Sequence, residues 1–315
     1  MYTIGVDVGG MSIKVGLVDE NGKIIVKDRV KTDKRATEDV KNTAALIKKI
    51  LSENNLTDKD ILGIGIGVPG AVTSETGVID FLPNLNWKNL KIVDELHKYF
   101  DTKIMLSNDA NVAALGEVIF GCAKEFNSCV MFTLGTGVGG GVIIDKKLFE
   151  GTKSKGTELG HSTLIAGGEP CGCGRRGCIE AYVSATALIR QTKKAMEERK
   201  DSKMWDFVSG DIEKVDGRTA FECAKAGDAA AIGVRDKYVS YLGDGIMSML
   251  NIFRPEAFII GGGVSAQGDY LLNLVKNYCE KYDYGYKGTP VPKMMIASLG
   301  NDAGIIGAAS LLYQQ

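Results

Sequence analysis

The chain contains two copies of one short pattern, in which a strand runs into glycines and a second strand follows. In the first copy, TIGVDVGG leads into SIKVGLVD, a turn at residues 20–22 and the strand KIIVKDRVK. In the second copy, CVMFTLGTGVGG leads into GVIID and KKLFEG. Because the separation of about 130 residues is far too long for a solenoid repeat, the copies predict two lobes of similar design.

The segments between and after these hairpins alternate between strand and helix patterns. Residues 39–51 place apolar side chains on one helical face, and ILGIGIGVPG is typical of a buried strand that ends in a Pro-Gly turn. Further helices are predicted at ANVAALGEVIFG and over residues 180–200, 219–226, 228–251, 269–283 and 303–314, with strands over 103–107 and 257–260. The alternation predicts an α/β protein.

Composition excludes several classes of function. The 315 residues carry a net charge of -1, so no strongly basic surface for nucleic acid is expected. No apolar run approaches the roughly 18–20 residues of a membrane helix, and MYTIGVDVGG lacks the character of a signal peptide. Seven cysteines, an odd number, do not suggest a disulfide framework. A cytoplasmic protein is therefore expected.

Glycine loops are the first candidates for ligand binding. Three segments match G-x-G-x-x-G, beginning at Gly65, Gly135 and Gly172, but none ends a strand and opens a helix as a dinucleotide site requires. A single glycine turn between strands is more typical of a tight hairpin. Two such turns on matching hairpins favour a pair of phosphate-binding loops, because glycine lets backbone N–H groups converge on an anion. Asp7, just before the first turn, is placed to hold Mg²⁺ through water.

A second candidate is the segment HSTLIAGGEPCGCGRRGCIEAY, in which one imidazole and three thiols lie within eighteen residues. His161, Cys171, Cys173 and Cys178 form a ligand set that is typical of tetrahedral zinc. The alternative, three cysteines packed in a core, is disfavoured because the loop has little apolar bulk. With four protein ligands the predicted zinc is structural.

The segment SNDANVAALGE places Asp109 where a strand meets a helix. The carboxyl ends of strands bind ligands in open α/β sheets, so Asp109 is a candidate general base. Ser107, Asn108 and Asp109 are equally suited to cap the helix. The residues alone leave catalysis and capping open.

Together these motifs resemble the ROK family of sugar kinases, and within it the bacterial glucokinases, over essentially the whole chain. The resemblance is carried by GVDVGGMSIKVGL, GIGVPG, LPNLNW, NDANVAALGE, LGTGVGGG, ELGH with CGCGRRGCIE, and GGGV near the C-terminus. It implies an actin-like (ribonuclease H-like) ATPase fold with two lobes, a duplicated core and a central cleft. The expected smaller lobe comprises residues 1–116 and 300–315, and the expected larger lobe comprises residues 117–299.

The resemblance also implies roles for individual residues. It assigns the nucleotide to Asp7, Gly9, Gly10, Ser12, Lys14, Thr136, Gly137, Gly139, Gly140, Gly261, Gly262 and Gly263. It assigns the sugar to Gly70, Asn84, Asn108, Asp109, Glu158, His161 and Glu180. Asp109 is expected to act as base on the 6-hydroxyl, and His161 to hold zinc with one ring nitrogen and face the sugar with the other.

The implied activity is transfer of phosphate from ATP to the 6-hydroxyl of glucose, with Mg²⁺ and a structural Zn²⁺, as a homodimer or homotetramer. Another hexose or amino sugar (fructose, mannose, N-acetylmannosamine or N-acetylglucosamine) and a non-catalytic sugar sensor are the alternatives. The family's repressors carry a helix-turn-helix ahead of the first hairpin. Here the hairpin begins at Tyr2, so DNA binding is not expected.

Overall fold

The computed structural model describes residues 1–284 and 289–314. Its strands are β1 (Tyr2–Val8), β2 (Ser12–Asp19), β3 (Ile24–Lys31), β4 (Ile61–Val68), β5 (Ala71–Thr73), β6 (Val78–Leu82), β7 (Trp87–Leu90), β8 (Ile104–Asn108), β9 (Cys129–Leu134), β10 (Val138–Ile144), β11 (Lys147–Leu148), β12 (Ala257–Gly261) and β13 (Lys293–Ile296). Its α-helices are α1 (Ala36–Glu53), α2 (Ile92–His97), α3 (Asp109–Ile119), α4 (Glu180–Val183), α5 (Ala185–Glu198), α6 (Met204–Phe207), α7 (Thr219–Lys225), α8 (Ala229–Phe253), α9 (Asp269–Tyr282) and α10 (Ala303–Ser310). No helix in these ranges combines the length and apolar character needed to cross a bilayer.

The chain divides into two compact units and passes between them four times. The first unit comprises residues 1–129, 141–157 and 298–315, and the second comprises residues 130–140 and 158–297. The predicted boundary differs, because it places residues 117–129, 141–157 and 298–299 in the larger lobe. Hydrogen bonds join the segment 141–157 to the first unit, since Glu150 accepts from Ser107 and Leu148 N donates to Gln314 Oε1. Residues 117–119 continue α3, which begins at Asp109. Residues 285–288 and 315, which the predicted lobes include, lie outside the described residues.

The first unit is built on a five-stranded sheet with the order β3-β2-β1-β4-β8. β1 pairs antiparallel with β2 and parallel with β4, and β4 pairs parallel with β8. One face is apolar because alternate residues of β1 and β2, such as Val6 and Val15, point into a buried core. On the other face α10 packs directly on the strand backbone, since a Cβ added to Gly5 would lie only 2.0 Å from the carbonyl oxygen of Ile305.

The second five-stranded sheet has the order β11-β10-β9-β12-β13. It repeats the plan of the first sheet, in which three sequential strands form a meander and later strands add beside the first of them. β12 and β13 pair in parallel, as β4 and β8 do. The duplicated design predicted from the glycine hairpins is therefore confirmed.

Most predicted elements are present, with two differences in the helices. Residues 180–200 are not one helix, because Ser184 is extended (φ -68°, ψ 160°) and its hydroxyl caps α5 by accepting from Ala187 N. Residues 303–314 form α10 only to Ser310, and a 3₁₀ turn follows over Leu311–Tyr313. A three-stranded sheet of β5, β6 and β7, which the sequence patterns did not predict, also lies in the first unit.

Candidate active site

In the first unit, the predicted site residues gather at the carboxyl edge of three parallel strands. Asp7 on β1 lies level with Gly67 on β4, and Gly67 lies level with Ser107 on β8. Neighbouring strands are about 4.8 Å apart, which places the Asp7 and Ser107 positions roughly 10 Å apart. The sheet register therefore brings the first glycine loop and the Asn108–Asp109 turn to the same edge.

The first glycine loop is a tight turn between β1 and β2. The N–H of Gly9 donates to the carbonyl of Ser12 at 3.0 Å, and a Cβ at Gly9 would lie 2.9 Å from that same oxygen. Lys14 Nζ donates to Asp7 Oδ2 at 2.9 Å, and both side chains are partly exposed. One accessible carboxylate fits Mg²⁺, which usually takes one or two protein carboxylates and completes its shell with water and phosphate oxygens.

Asn84, a predicted sugar ligand, lies beside this loop. It belongs to the 3₁₀ turn Pro83–Leu85 and is exposed. A Cβ added to Gly10 would lie 3.5 Å from the Cβ of Asn84. The structure therefore brings a candidate sugar contact next to a candidate phosphate contact.

The structure shows which residue of the Asn108–Asp109 turn caps the helix that follows. Asn108 is the N-cap of α3, since its Oδ1 accepts from Ala110 N at 2.9 Å and from Asn111 N at 3.4 Å. Its Nδ2 donates to the carbonyl of Gly70 at 3.2 Å, which leaves one amide hydrogen for a ligand. Asp109 begins the helix and accepts from Ala110 N at 2.9 Å through Oδ1. Asn108 is therefore the residue that caps α3.

In the second unit, the imidazole and three thiols predicted as zinc ligands converge. The donor atoms of His161, Cys171, Cys173 and Cys178 all lie within 4.8 Å of one another. Cys173 Sγ and Cys178 Sγ are 3.7 Å apart, and Cys171 Sγ is 3.6 Å from Nδ1 of His161. A tetrahedral zinc with Zn–S of about 2.3 Å and Zn–N of about 2.0–2.1 Å needs edges of about 3.8 Å and 3.6 Å. The geometry and the chemistry of these donors fit zinc.

The loop that carries the thiols is folded by its own backbone. Cys171 N donates to the carbonyl of Arg175 at 2.9 Å, and Gly174, at φ +86°, occupies the left-handed region that the turn requires. Burial raises the pKa of Cys171 to about 12, whereas the backbone N–H of Arg175 lowers the pKa of Cys173. A metal bound here must displace protons from thiols, so its affinity depends on pH.

The second glycine loop, residues 135–140, is held by residues that follow the thiol loop. The N–H of Ala185 donates to the carbonyl of Gly135 at 2.8 Å, and the hydroxyl of Thr186 donates to the backbone carbonyl of Thr136 at 2.8 Å. Glu180 Oε2 accepts from Val138 N at 3.0 Å. Two carbonyl groups of the loop and one of its N–H groups are therefore held by hydrogen bonds.

Glu180 contacts both the thiol cluster and the glycine loop. Its Oε1 lies 3.4 Å from Cys171 Sγ, while its Oε2 accepts from Val138 N. Sequence reasoning assigned Glu180 to the sugar and missed its bond to the loop, for which no sequence signal exists. Glu158, the other predicted carboxylate here, is exposed, and its carbonyl accepts from His161 N at 3.0 Å.

The predicted adenosine glycines lie where β12 ends, with Gly261 as its last residue and Gly262 and Gly263 directly after it. Gly262 has φ +81°, and a Cβ there would lie 2.5 Å from the backbone nitrogen of Leu134 at the end of β9. Since Leu134 directly precedes the second glycine loop, the two glycine segments are neighbours. Gly263 has open space around it, as a site that admits a ligand close to the backbone requires.

Sequence reasoning missed one further polar centre of the first unit. Glu150 Oε1 accepts from the hydroxyls of Ser107 and Ser74 at 2.6 Å and 2.9 Å, and lies 3.4 Å from Nδ2 of Asn111. A single glutamate in a loop after a short strand gives no periodic or motif signal. Only the strand order, which brings β8 to the sheet edge, reveals its position.

Comparison with known proteins gives consistent results over the whole chain. Glucokinase from Halalkalibacterium halodurans is 36% identical over 100% of this chain and 96% of its own length. Glucokinase from Thermotoga maritima is 37% identical over 99% of this chain and 97% of its own length. The crystal structure of a ROK family glucokinase from Streptomyces griseus, in complex with glucose and AMPPNP, superposes with a TM-score of 0.81 at 32% identity, with all of both chains covered.

The fold is accordingly the actin-like ATPase fold of the ROK kinases, as the sequence predicted. The sequence profile of the ROK family matches residues 3–315. With the glycine hairpins, the Asp109 turn and the thiol cluster all in place, the chain belongs to the ROK family.

Proposed function

We propose that this protein is a glucokinase that transfers the γ-phosphoryl group of ATP to the 6-hydroxyl of glucose. The observation that carries the proposal is the turn after β8, where Asn108 caps α3 and Asp109 lies at the same sheet edge as Asp7 and the first glycine loop. A carboxylate for the alcohol and a loop for the phosphates are the two parts that such a transfer needs. The glucokinase relatives support the choice of substrates.

In the proposed reaction Asp109 accepts the proton of the 6-hydroxyl while the oxygen of that hydroxyl forms a bond to the γ-phosphorus. The bond from that phosphorus to the bridging oxygen breaks, and ADP leaves. Asp7 would hold Mg²⁺ through water, and the cation would neutralise charge on the phosphates. Backbone N–H groups of the two glycine loops orient the phosphates. General-base assistance of this kind contributes about 10²–10⁴ in rate.

The proposed sugar ligands are those that the family resemblance implies: Gly70, Asn84, Asn108, Glu158, His161 and Glu180. His161 and the three cysteines would hold the zinc, with Cys171 as a thiolate. A thiolate cannot donate to Glu180 Oε1, so that oxygen would be available to accept from a sugar hydroxyl.

The same donor set supports a structural role for zinc. Four protein ligands would complete a tetrahedral coordination shell and would leave no open position for catalysis. Its proposed task is to fix the loop that precedes Glu180. Because His161 faces Cys171 through Nδ1, Nε2 is the nitrogen proposed to face the sugar.

Three further features belong to the proposal. Gly261, Gly262 and Gly263 border the adenosine. The protein acts in the cytoplasm, since its reaction consumes ATP and its metal site needs reduced thiols. It assembles as a homodimer or homotetramer, and it has no nucleic-acid or membrane partner.

A coupled assay of ADP release with Mg-ATP tests the activity and its specificity. Glucose, fructose, mannose, N-acetylmannosamine and N-acetylglucosamine are compared by kcat/KM, with product identified by glucose 6-phosphate dehydrogenase. The highest kcat/KM is expected for glucose. A higher kcat/KM for another sugar would show that glucose is not the preferred substrate. Glucose binding without ADP release would show that the protein is a sugar sensor and not a kinase.

A further inference from the structure

Glu150 forms a hydrogen-bonded centre on which three separate segments of the first unit meet. Ser107 is the penultimate residue of β8, Ser74 begins the 3₁₀ turn after β5, and Asn111 lies in the first turn of α3. All three side chains direct a donor at Glu150 Oε1, at 2.6, 2.9 and 3.4 Å. Hydrogen bonds to an ionised acceptor are stronger than neutral ones. Glu150 therefore fixes the relative positions of the three segments.

The loop that carries Glu150, residues 150–157, is itself held in place. The N–H of Gly156 donates to the carbonyl of Glu150 at 2.7 Å and closes the loop. Lys155 Nζ donates to the carbonyl of Val72 at 2.7 Å and forms an ion pair with Asp80. Ser154 Oγ accepts from the N–H of Ser74 at 3.1 Å. The carboxylate is thus presented from a fastened loop and not from a freely moving one.

Two of the three donors flank the turn that holds the proposed base. Ser107 comes directly before Asn108 and Asp109, and Asn111 comes two residues after Asp109. Ser107 is completely buried and Asn111 is 5% exposed, so bulk water cannot take the place of Glu150 as the acceptor for either side chain. Asn111 is held from its other end as well, because Thr157 of the same loop donates to its Oδ1 at 3.4 Å. Movement of Glu150 would therefore be transmitted to Asp109 from both sides.

We infer that Glu150 is a positioning residue that acts through Asp109. It touches neither substrate nor nucleotide in this role; it holds the β8–α3 turn so that the Asp109 carboxylate meets the sugar hydroxyl. This inference rests on the proposed function, in which Asp109 is the base. Positioning of this kind matters because a displacement of about 1 Å can cost about 10²-fold in rate.

The test compares Glu150→Ala, Glu150→Gln and the control Glu75→Ala. Glu75 is an exposed acid in the 3₁₀ turn, directly after Ser74. Glu150→Ala should lower kcat about 10–100-fold, as expected for a misplaced catalytic group, with KM for ATP and the calorimetric Kd for glucose within about threefold of wild type. Glu150→Gln keeps an acceptor oxygen and should recover most of kcat. Glu75→Ala should behave as wild type.

A double-mutant cycle with Asp109→Asn distinguishes positioning from general structural support. If Glu150 acts through Asp109, Glu150→Ala should cost less than about twofold once Asp109 is replaced. Equal losses in both backgrounds would overturn the inference, as would wild-type kcat in Glu150→Ala. If Glu150→Ala does not fold, Ser74→Ala, which removes one donor, replaces it in the same cycle. An inactive wild-type protein would refute the proposed function itself. An active wild type, with an unchanged kcat in Glu150→Ala, would refute only the inference about Glu150.

Discussion

The carboxylate of Glu180 accepts a hydrogen bond from the backbone N–H of Val138 at 3.0 Å, while its other oxygen lies 3.4 Å from Cys171 Sγ. One side chain therefore connects the thiol cluster to the second glycine loop. The connection explains how a metal at the predicted zinc site would affect the glycine loop that is proposed to bind phosphate. An ordered thiol loop holds the start of α4, and α4 presents Glu180 to the glycine loop.

Replacing Gly137 by alanine should break this connection. An added Cβ would lie 2.4 Å from Glu180 Oε2, so the carboxylate must move and give up its bond to Val138. A hydrogen bond to a charged group contributes about 1.5–3 kcal/mol, so kcat/KM for ATP should fall by about tenfold or more. Steady-state kinetics with varied ATP measures the loss. Gly233→Ala on α8, where an added Cβ meets no neighbour, is the matched control and should leave kcat/KM unchanged.

Loss of one thiol should remove zinc and weaken ligand binding together. Cys173→Ser takes one ligand from the four, and the purified variant should contain well below the one zinc per chain expected of wild type, as measured by elemental analysis. Because the thiol loop leads to Glu180, both the melting temperature and glucose affinity should fall. Cys223→Ser, outside the cluster, should keep its zinc. A metal-free wild-type protein with full activity would contradict the site, and unchanged glucose affinity in Cys173→Ser would separate the metal from the sugar.

The sequence predicted the features that depend on local patterns. Glycine turns between β-branched strands have a clear signature, so both hairpins and the duplicated sheet were found. The convergence of His161 with the three cysteines was predicted because the four side chains lie within eighteen residues, and it is confirmed. The position of Asp109 where β8 meets α3 was predicted from the change of pattern between a strand and a helix.

The features that the sequence did not predict depend on long-range contacts. Glu150 and Ser107 are 43 residues apart, and only the pairing of β4 with β8 places Ser107 within reach. The bond of Glu180 to Val138 also spans 42 residues. The break at Ser184 was missed for a different reason: residues on both sides favour helix, and the serine hydroxyl caps α5 instead of continuing α4.

Asp109→Asn should abolish turnover and preserve sugar binding. Asparagine has nearly the same shape but cannot accept the proton, so kcat should fall about 10²–10⁴-fold. Because Asn108 caps α3, the helix should remain folded and the melting temperature should stay close to that of wild type. Coupled kinetics measures kcat, and calorimetry measures Kd for glucose. The control Asp94→Asn changes an exposed acid on α2; a kcat for Asp109→Asn near that of this control would reject Asp109 as the base.

Asp228 offers a test of stability that is independent of catalysis. It caps α8 by accepting from Ala231 N at 2.8 Å, and its other oxygen accepts from Lys203 N at 2.8 Å. Burial alone would raise the pKa of Asp228, but these backbone N–H groups and the Ser202 hydroxyl hold the pKa below its ordinary value. Asp228→Ala should therefore lower the free energy of unfolding at pH 7 by about 1–2 kcal/mol, the usual cost of a lost N-cap.

The pH dependence of this difference follows from the direction of the shift. A carboxyl group whose folded-state pKa is depressed stabilises the fold at pH values above its unfolded pKa of about 3.9, and this stabilisation is lost as the pH falls through the folded-state value. Urea denaturation of wild type and Asp228→Ala should give the full difference from pH 7 down to about pH 5 and a shrinking one below about pH 4. Asp236→Ala, an exposed acid on the same helix, should stay within about 0.5 kcal/mol of wild type throughout. A difference that grows as the pH falls would mean that Asp228 is better stabilised in its protonated form, against the bonding seen here.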